Sequence, residues 1–286
     1  MINCIGKSRI PAQFMGISTA PTMSQLSEEI SCISCTESSQ DSAMPATSEG
    51  SDGETPSSPD PNSLISYSKA ASYWDGVPAS VNGMLGGLGQ VSSLDIRTSD
   101  ELLTAIWKRP NAPGRERALD CGAGIGRITR LLLSRRFQTV DAVEQCAKFV
   151  EAARTALADN PHVGEIYCAG LQEFTPQPDF YDVIWCQWVL GHLTDDDLVQ
   201  FFTRCARGLR PNGVIIVKEN LASGSEPEYD ATDSSVTRPR ALLEAIFERA
   251  GLSISSTRKQ NGMPRGLYEV RMFVLRPVEV AVDSSS

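Results

Sequence analysis

Three glycines in five residues, Gly122, Gly124 and Gly126, sit between an extended-prone run, Arg117 to Asp120, and a helix-prone run that opens at Gly126. Glycine at such a junction lets the backbone approach a bound nucleoside where any side chain would hold it off. The spacing is GxGxG with Asp120 at the strand end, whereas a loop that seats a pyrophosphate on a helix N-terminus asks for GxGxxG. About 20 residues further on, Glu144 closes the next extended run, the place from which a carboxylate accepts hydrogen bonds from both ribose hydroxyls. A nucleoside with cationic groups and no phosphate answers this pattern, and S-adenosylmethionine has both an ammonium and a sulfonium. A nicotinamide dinucleotide fits it less well.

The flanking chain supplies the matching architecture. Arg117 to Asp120, Val140 to Glu144, Glu165 to Cys168, Asp182 to Trp185 and Val214 to Lys218 read as strands. Between them, Gly126 to Arg136, Cys146 to Asp159 and Asp195 to Leu209 read as helices, so the sheet should be parallel with helices on both faces. Thr98, Ser99, Asp100 and Glu101 ahead of Leu102, Leu103 and Ile106 predict a capped helix that ends by Pro110. A last helix runs from Pro239 to Gly251, and Leu252 to Thr257 and Tyr268 to Leu275 follow with no helix between them, so they should pair antiparallel. The expected fold is α/β: a Rossmann-like, seven-stranded class I methyltransferase fold, with no internal repeat.

Charge divides the chain. Of the net −9, six charges fall in residues 1–66, where Lys7 and Arg9 face eight acids. The nearly neutral remainder lacks the basic face that a phosphate backbone requires, which speaks against nucleic acid. Residues 18 to 63 are rich in Ser, Thr, Pro and acids and poor in large apolar groups, so 1–65 is expected to be a disordered extension, with 66–277 the folded domain and 278–286 a tail. The first two dozen residues carry Lys7 and Arg9 and no acid, a weak organelle-targeting pattern beside the commoner unstructured tail. No run approaches the roughly 20 apolar residues of a membrane span. The eight cysteines are scattered in the manner of free thiols in a reducing compartment. Cys32 and Cys35 form a lone CxxC without a second pair or a nearby histidine, so no metal is expected.

Tyr73-Trp74, the run from Val81 to Gly87, the loop from Leu119 to Arg127, Gly170-Leu171-Gln172, Tyr181 to Trp185 and Asp233 to Val236 together resemble the protein N-terminal methyltransferases that act on Xaa-Pro-Lys ends. The likeness spans about Ser66 to Arg276. It implies that Gly122, Gly124, Arg127, Glu144, Leu171, Gln172 and Gln187 hold S-adenosylmethionine, with Gln145 and Cys146 beside the ribose carboxylate and Arg127 reaching the methionine carboxylate. It also implies protein substrates, a monomer, and a place in cytoplasm and nucleus. Asn82, Glu144 and Leu88 depart from the family's more usual residues, and Ala231 follows Asp230 where the family places a second acid.

Methyl transfer from a sulfonium needs an uncharged amine delivered in line and no metal. An α-amino group titrates at about 7.7–8.0, so a weak base suffices. Candidates lie after the strand ends: Gln187, Trp188 and His192 after the fourth strand, and Glu219, Asn220 and Asp233 after the fifth. His192 and Asp233 are candidate bases, and Asn220 would fix the amine. Read blandly, His192 satisfies a loop, Asn220 makes a turn and Asp233 caps a helix. Trp188 offers a flat face to a proline at substrate position two, with Leu85 and Val91 closing the pocket, or is simply core. Asp230 and Ser235 would receive a basic third residue. The rivals are a methyltransferase for a small amine or carboxylate, a non-catalytic S-adenosylmethionine-binding scaffold, and a dehydrogenase.

Overall fold

The computed structural model describes residues 60–278. The expected disorder, tail and CxxC at residues 1–59 and 279–286 lie outside the described residues. Ordered structure begins before the expected boundary at Ser66. Asp60 caps a single 3-10 turn, Pro61–Leu64, whose Asn62 side chain accepts a hydrogen bond from the Asp195 amide at 2.8 Å.

Three helices precede the sheet: α1 (Tyr67–Gly76), α2 (Val81–Met84) and α3 (Ser92–Ile106). The expected cap at Thr98 is internal to α3, because the Thr98 hydroxyl bonds back to the Leu94 carbonyl at 3.0 Å instead of opening a helix. The Rossmann-like unit follows with β1 (Arg117–Cys121), α4 (Arg127–Leu131), β2 (Thr139–Glu144), α5 (Ala147–Leu157), β3 (Val163–Cys168), β4 (Tyr181–Gln187), α6 (Asp195–Gly208) and β5 (Leu209–Leu221). α4 is shorter than the expected Gly126 to Arg136 helix, since the chain leaves helical geometry at Leu132 and closes on a 3-10 turn, Leu133–Arg135.

A small hairpin not foreseen in the sequence, β6 (Glu228–Asp230) with β7 (Ser235–Thr237), leads into α7 (Arg240–Arg249), β8 (Leu252–Lys259) and β9 (Glu269–Pro277). The seven-stranded sheet has the order β3-β2-β1-β4-β5-β9-β8. β9 alone runs against its neighbours, pairing antiparallel with both β5 and β8.

Alternation along the buried strands feeds two cores. Ile184, Cys186, Ile215 and Val217 meet Phe201, Phe202, Ile246 and Phe247 of α6 and α7 on one face. Val183, Trp185, Val214 and Ile216 meet Leu102, Leu103, Ile106 and Ile128 of α3 and α4 on the other. The strands thus end together at one edge, and β1, β2, β4 and β5 present their C-terminal residues to a common crevice.

Candidate active site

The crevice consists of three adjoining clefts of about 340, 380 and 420 Å³. The first is lined by Met84, Leu85, Asp120, the glycine loop, Arg127, Gln187 and Trp188. The second is lined by Tyr67, Gly122, Val143, Glu144, Gln145, Leu171, Gln172 and His192. The third holds Trp188, His192, Glu219, Asn220, Asp233 and Ser235. Gly122 borders the first two, Trp188 the first and third, and His192 the second and third.

The loop glycines are needed where they stand. Gly122 has φ +68°, and a Cβ there would lie 2.5 Å from Val189 Cγ2; at Gly124, with φ +57°, it would lie 2.7 Å from Met84 Sδ. The Glu144 carboxylate binds the loop to the next turn, accepting from the Gly124 amide through Oε2 and from the Cys146 amide through Oε1, both at 2.9 Å. Burial raises its pKa above the usual carboxylate value, against the pull of these amides. Asp120 caps α4 by accepting from the Thr129 amide at 2.9 Å and hydroxyl at 2.6 Å, and burial pushes it up to about 6. Two buried carboxylates and one guanidinium along a glycine-floored cleft suit a ribose diol joined to an amino-acid zwitterion, so the residues fit S-adenosylmethionine.

Three expected cofactor contacts are differently engaged. Cys146 turns its side chain into an apolar cluster with Trp74, Met84 and Phe149, and only its amide serves the site. The Gln187 side chain donates to both Asp95 oxygens at 2.9 and 3.0 Å and accepts from Trp185 Nε1 at 3.0 Å. Arg127 lines the cleft, yet its Nη1 is bound to Asp95 Oδ2 at 2.7 Å.

In the third cleft, Trp188 holds a left-handed conformation (φ +52°) that a large residue adopts only under constraint. Its amide donates to the Lys218 carbonyl at 3.0 Å, and Glu219 Oε1 accepts the next two amides, Val189 and Leu190, at 2.8 and 2.9 Å. Leu85, Val91 and Val270 form one buried apolar cluster with Trp188. Asn220 sits on β5 opposite Val270 and lines the same cleft.

Asp233 and His192 part company. Asp233 is 1% exposed, and its Oδ1 accepts from the Ser235 hydroxyl at 2.7 Å. Ser235 lines the same cleft and donates its hydroxyl to Asp233, which leaves its oxygen lone pairs open to a further donor. Its register partner Asp230 lies outside the cleft lining, with Oδ1 accepting from the Thr232 amide at 2.8 Å. His192 does not suit the role of a base near neutrality: its Nε2 accepts from Trp74 Nε1 at 3.1 Å, and burial drives its pKa down to about 4. Its acceptor nitrogen is occupied, and the neutral ring carries its proton on Nδ1.

Among the residues at or behind the clefts that were not singled out from sequence are Tyr67, Met84, Asp95 and Lys218. Asp95 had a signal, since it falls on the α3 face that carries Leu102, Leu103 and Ile106, where a lone acid must be paired.

Residues 62–276 match the family described as AdoMet-dependent proline di-methyltransferase. This chain belongs to that family. Its relatives include the N-terminal Xaa-Pro-Lys N-methyltransferase 1 of Homo sapiens, 47% identical over 212 residues, which are 73% of this chain and 95% of that protein. The alpha N-terminal protein methyltransferase 1 of Drosophila melanogaster is 49% identical over 216 residues, 74% and 76% of the two chains. Among solved structures, a SAM-dependent methyltransferase of Leishmania major superposes with a TM-score of 0.70 at 38% identity, covering 73% of this chain and 82% of that one. As a member of the proline di-methyltransferase family, the chain is an S-adenosylmethionine-dependent methyltransferase.

Proposed function

We propose that this enzyme methylates the α-amino group of protein N-termini of the Xaa-Pro-Lys type. The observation that carries the reading is the third cleft: a buried carboxylate, Asp233, lines it together with Asn220 and Trp188, and Trp188 also borders the first cleft.

When bound, S-adenosylmethionine supplies a methyl carbon made electrophilic by its sulfonium. The protein's part is to deliver an uncharged amine along one line and keep water away. Asp233, held by Ser235, takes the proton of the incoming ammonium, and Asn220 orients the nitrogen. Trp188 receives the proline ring, with Leu85 and Val91 closing over it. Asp230 at the hairpin edge faces a basic third residue as a single acid beside Ala231. His192 shapes the wall between the cofactor and acceptor clefts.

The reading includes a monomeric enzyme of cytoplasm and nucleus that uses neither nucleic acid nor membrane. The near-neutral charge of the folded part and the lack, among the described residues, of a helix long and apolar enough to cross a bilayer support the last two points. Turnover of Xaa-Pro-Lys peptides against the same peptides N-acetylated tests the function. Methylation of free-amine peptides alone is expected, and equal methylation of blocked peptides or small amines overturns it.

A further inference from the structure

Behind the cleft that contains Arg127 lies a buried charge cluster outside the roles assigned above. Asp95 of α3 is fully buried and stands between two cations. It accepts from Arg127 Nη1 at 2.7 Å and from the Lys218 ammonium, while Gln187 donates to both of its oxygens at 2.9 and 3.0 Å. Ser99, one turn along the same helix, accepts from Lys218 Nζ at 2.9 Å. Burial works to raise the Asp95 pKa, but Lys218 and Arg127 overcome it and hold the carboxyl below its ordinary value.

Such a cluster fixes geometry more than it adds stability, because desolvation of three charges offsets most of their attraction. Here it sets two side chains of the cleft wall, Arg127 and Gln187, from a single carboxylate. Asp95 takes one nitrogen of the guanidinium, Nη1, so Arg127 is aimed with donors to spare. One anion between two cations also leaves the cluster a negative charge short. Asp120, which lines the same cleft as Arg127, is turned to Thr129 through Oδ2.

We infer that Asp95 is a positioning residue that presets Arg127 and Gln187 to receive the α-amino-acid end of S-adenosylmethionine, whose carboxylate completes the charge balance of the cluster. This rests on the cofactor reading of the cleft. It also links cofactor to acceptor, because α3 follows directly on the segment whose Leu85 and Val91 cover Trp188.

The test is calorimetric and needs no turnover. S-adenosylhomocysteine carries the amino-acid arm, and 5′-methylthioadenosine keeps the nucleoside and thioether without it. The wild-type protein should bind the first more tightly. In Asp95→Asn, affinity for S-adenosylhomocysteine should fall about tenfold, the scale of one charged hydrogen bond, with 5′-methylthioadenosine little changed. The double variant Asp95→Asn/Lys218→Met removes one anion and one cation, keeps the cluster's net charge, and should show the same selective loss even where the single variant folds poorly.

Equal losses for both ligands reduce Asp95 to a structural role and overturn the inference, as does unchanged or improved binding of S-adenosylhomocysteine. Wild-type protein that binds neither ligand overturns the cofactor reading itself, an outcome distinct from the other two.

Discussion

The indole Nε1 of Trp74 donates to Nε2 of His192 at 3.1 Å, joining α1 to the turn after β4 through two buried rings set edge to face. The bond occupies the nitrogen that a general base would use. It also makes His192 a sensor of acid through stability rather than through catalysis.

With a folded pKa of about 4 against an ordinary value near 6.5, His192 binds its proton more readily in the unfolded chain. Its contribution is therefore complete above about pH 6.5 and lost as pH falls toward 4, up to about 3 kcal/mol. Thermal melts over that range should show Tm falling with acid, and falling less in His192→Gln. Peptide turnover by His192→Gln near pH 8 should drop by less than the roughly hundredfold that loss of a general base brings. A larger drop would return His192 to the proton transfer.

Asp233→Asn removes the carboxylate from the acceptor cleft and leaves an amide of the same shape for Ser235 to meet. Peptide kcat should fall by about 10²–10⁴-fold. Affinity for S-adenosylhomocysteine should be unaltered by calorimetry, because Asp233 lines only the acceptor cleft. Retained turnover would remove Asp233 from the reaction.

Glu144→Gln places an NH2 group against one of two backbone donors, Gly124 or Cys146. The loop loses an acceptor and the ribose a charged one, so cofactor affinity should drop at least about tenfold and stability by about 1–3 kcal/mol. Calorimetry and urea melts of the same preparation read both. Full affinity in the variant would place the ribose elsewhere.

Asp230→Asn should raise the KM of a peptide with lysine in position three while leaving kcat nearly unchanged, since Asp230 lies outside the lining of the cleft that holds Asp233 and is bonded to the Thr232 amide. Steady-state kinetics with lysine and alanine at that position check it. An unaltered KM would exclude the contact.

The sheet was legible because strand and helix periods alternate without interruption from Arg117 to Val217, and the choice of cofactor because a GxGxG loop followed by Glu144 has few other uses. The hairpin Glu228–Thr237 was not, because strands of three residues carry no period. The expectation for His192 failed for a different reason: a sequence shows that an imidazole follows a strand, but not that Trp74, far away in the chain, fills its lone pair. The same holds for Arg127 and Gln187. Their residue types point to a ligand, while their common tie to Asp95 arises only when α3 packs against β4 and β5.

Trp188 walls both the donor and the acceptor clefts, whereas Trp107 lies apart against Phe137 and Arg115. The molecule thus carries its own optical gauge. Filling either compartment changes the polarity around the Trp188 indole, so occupancy should register in the summed ultraviolet emission of the four tryptophans without any attached dye.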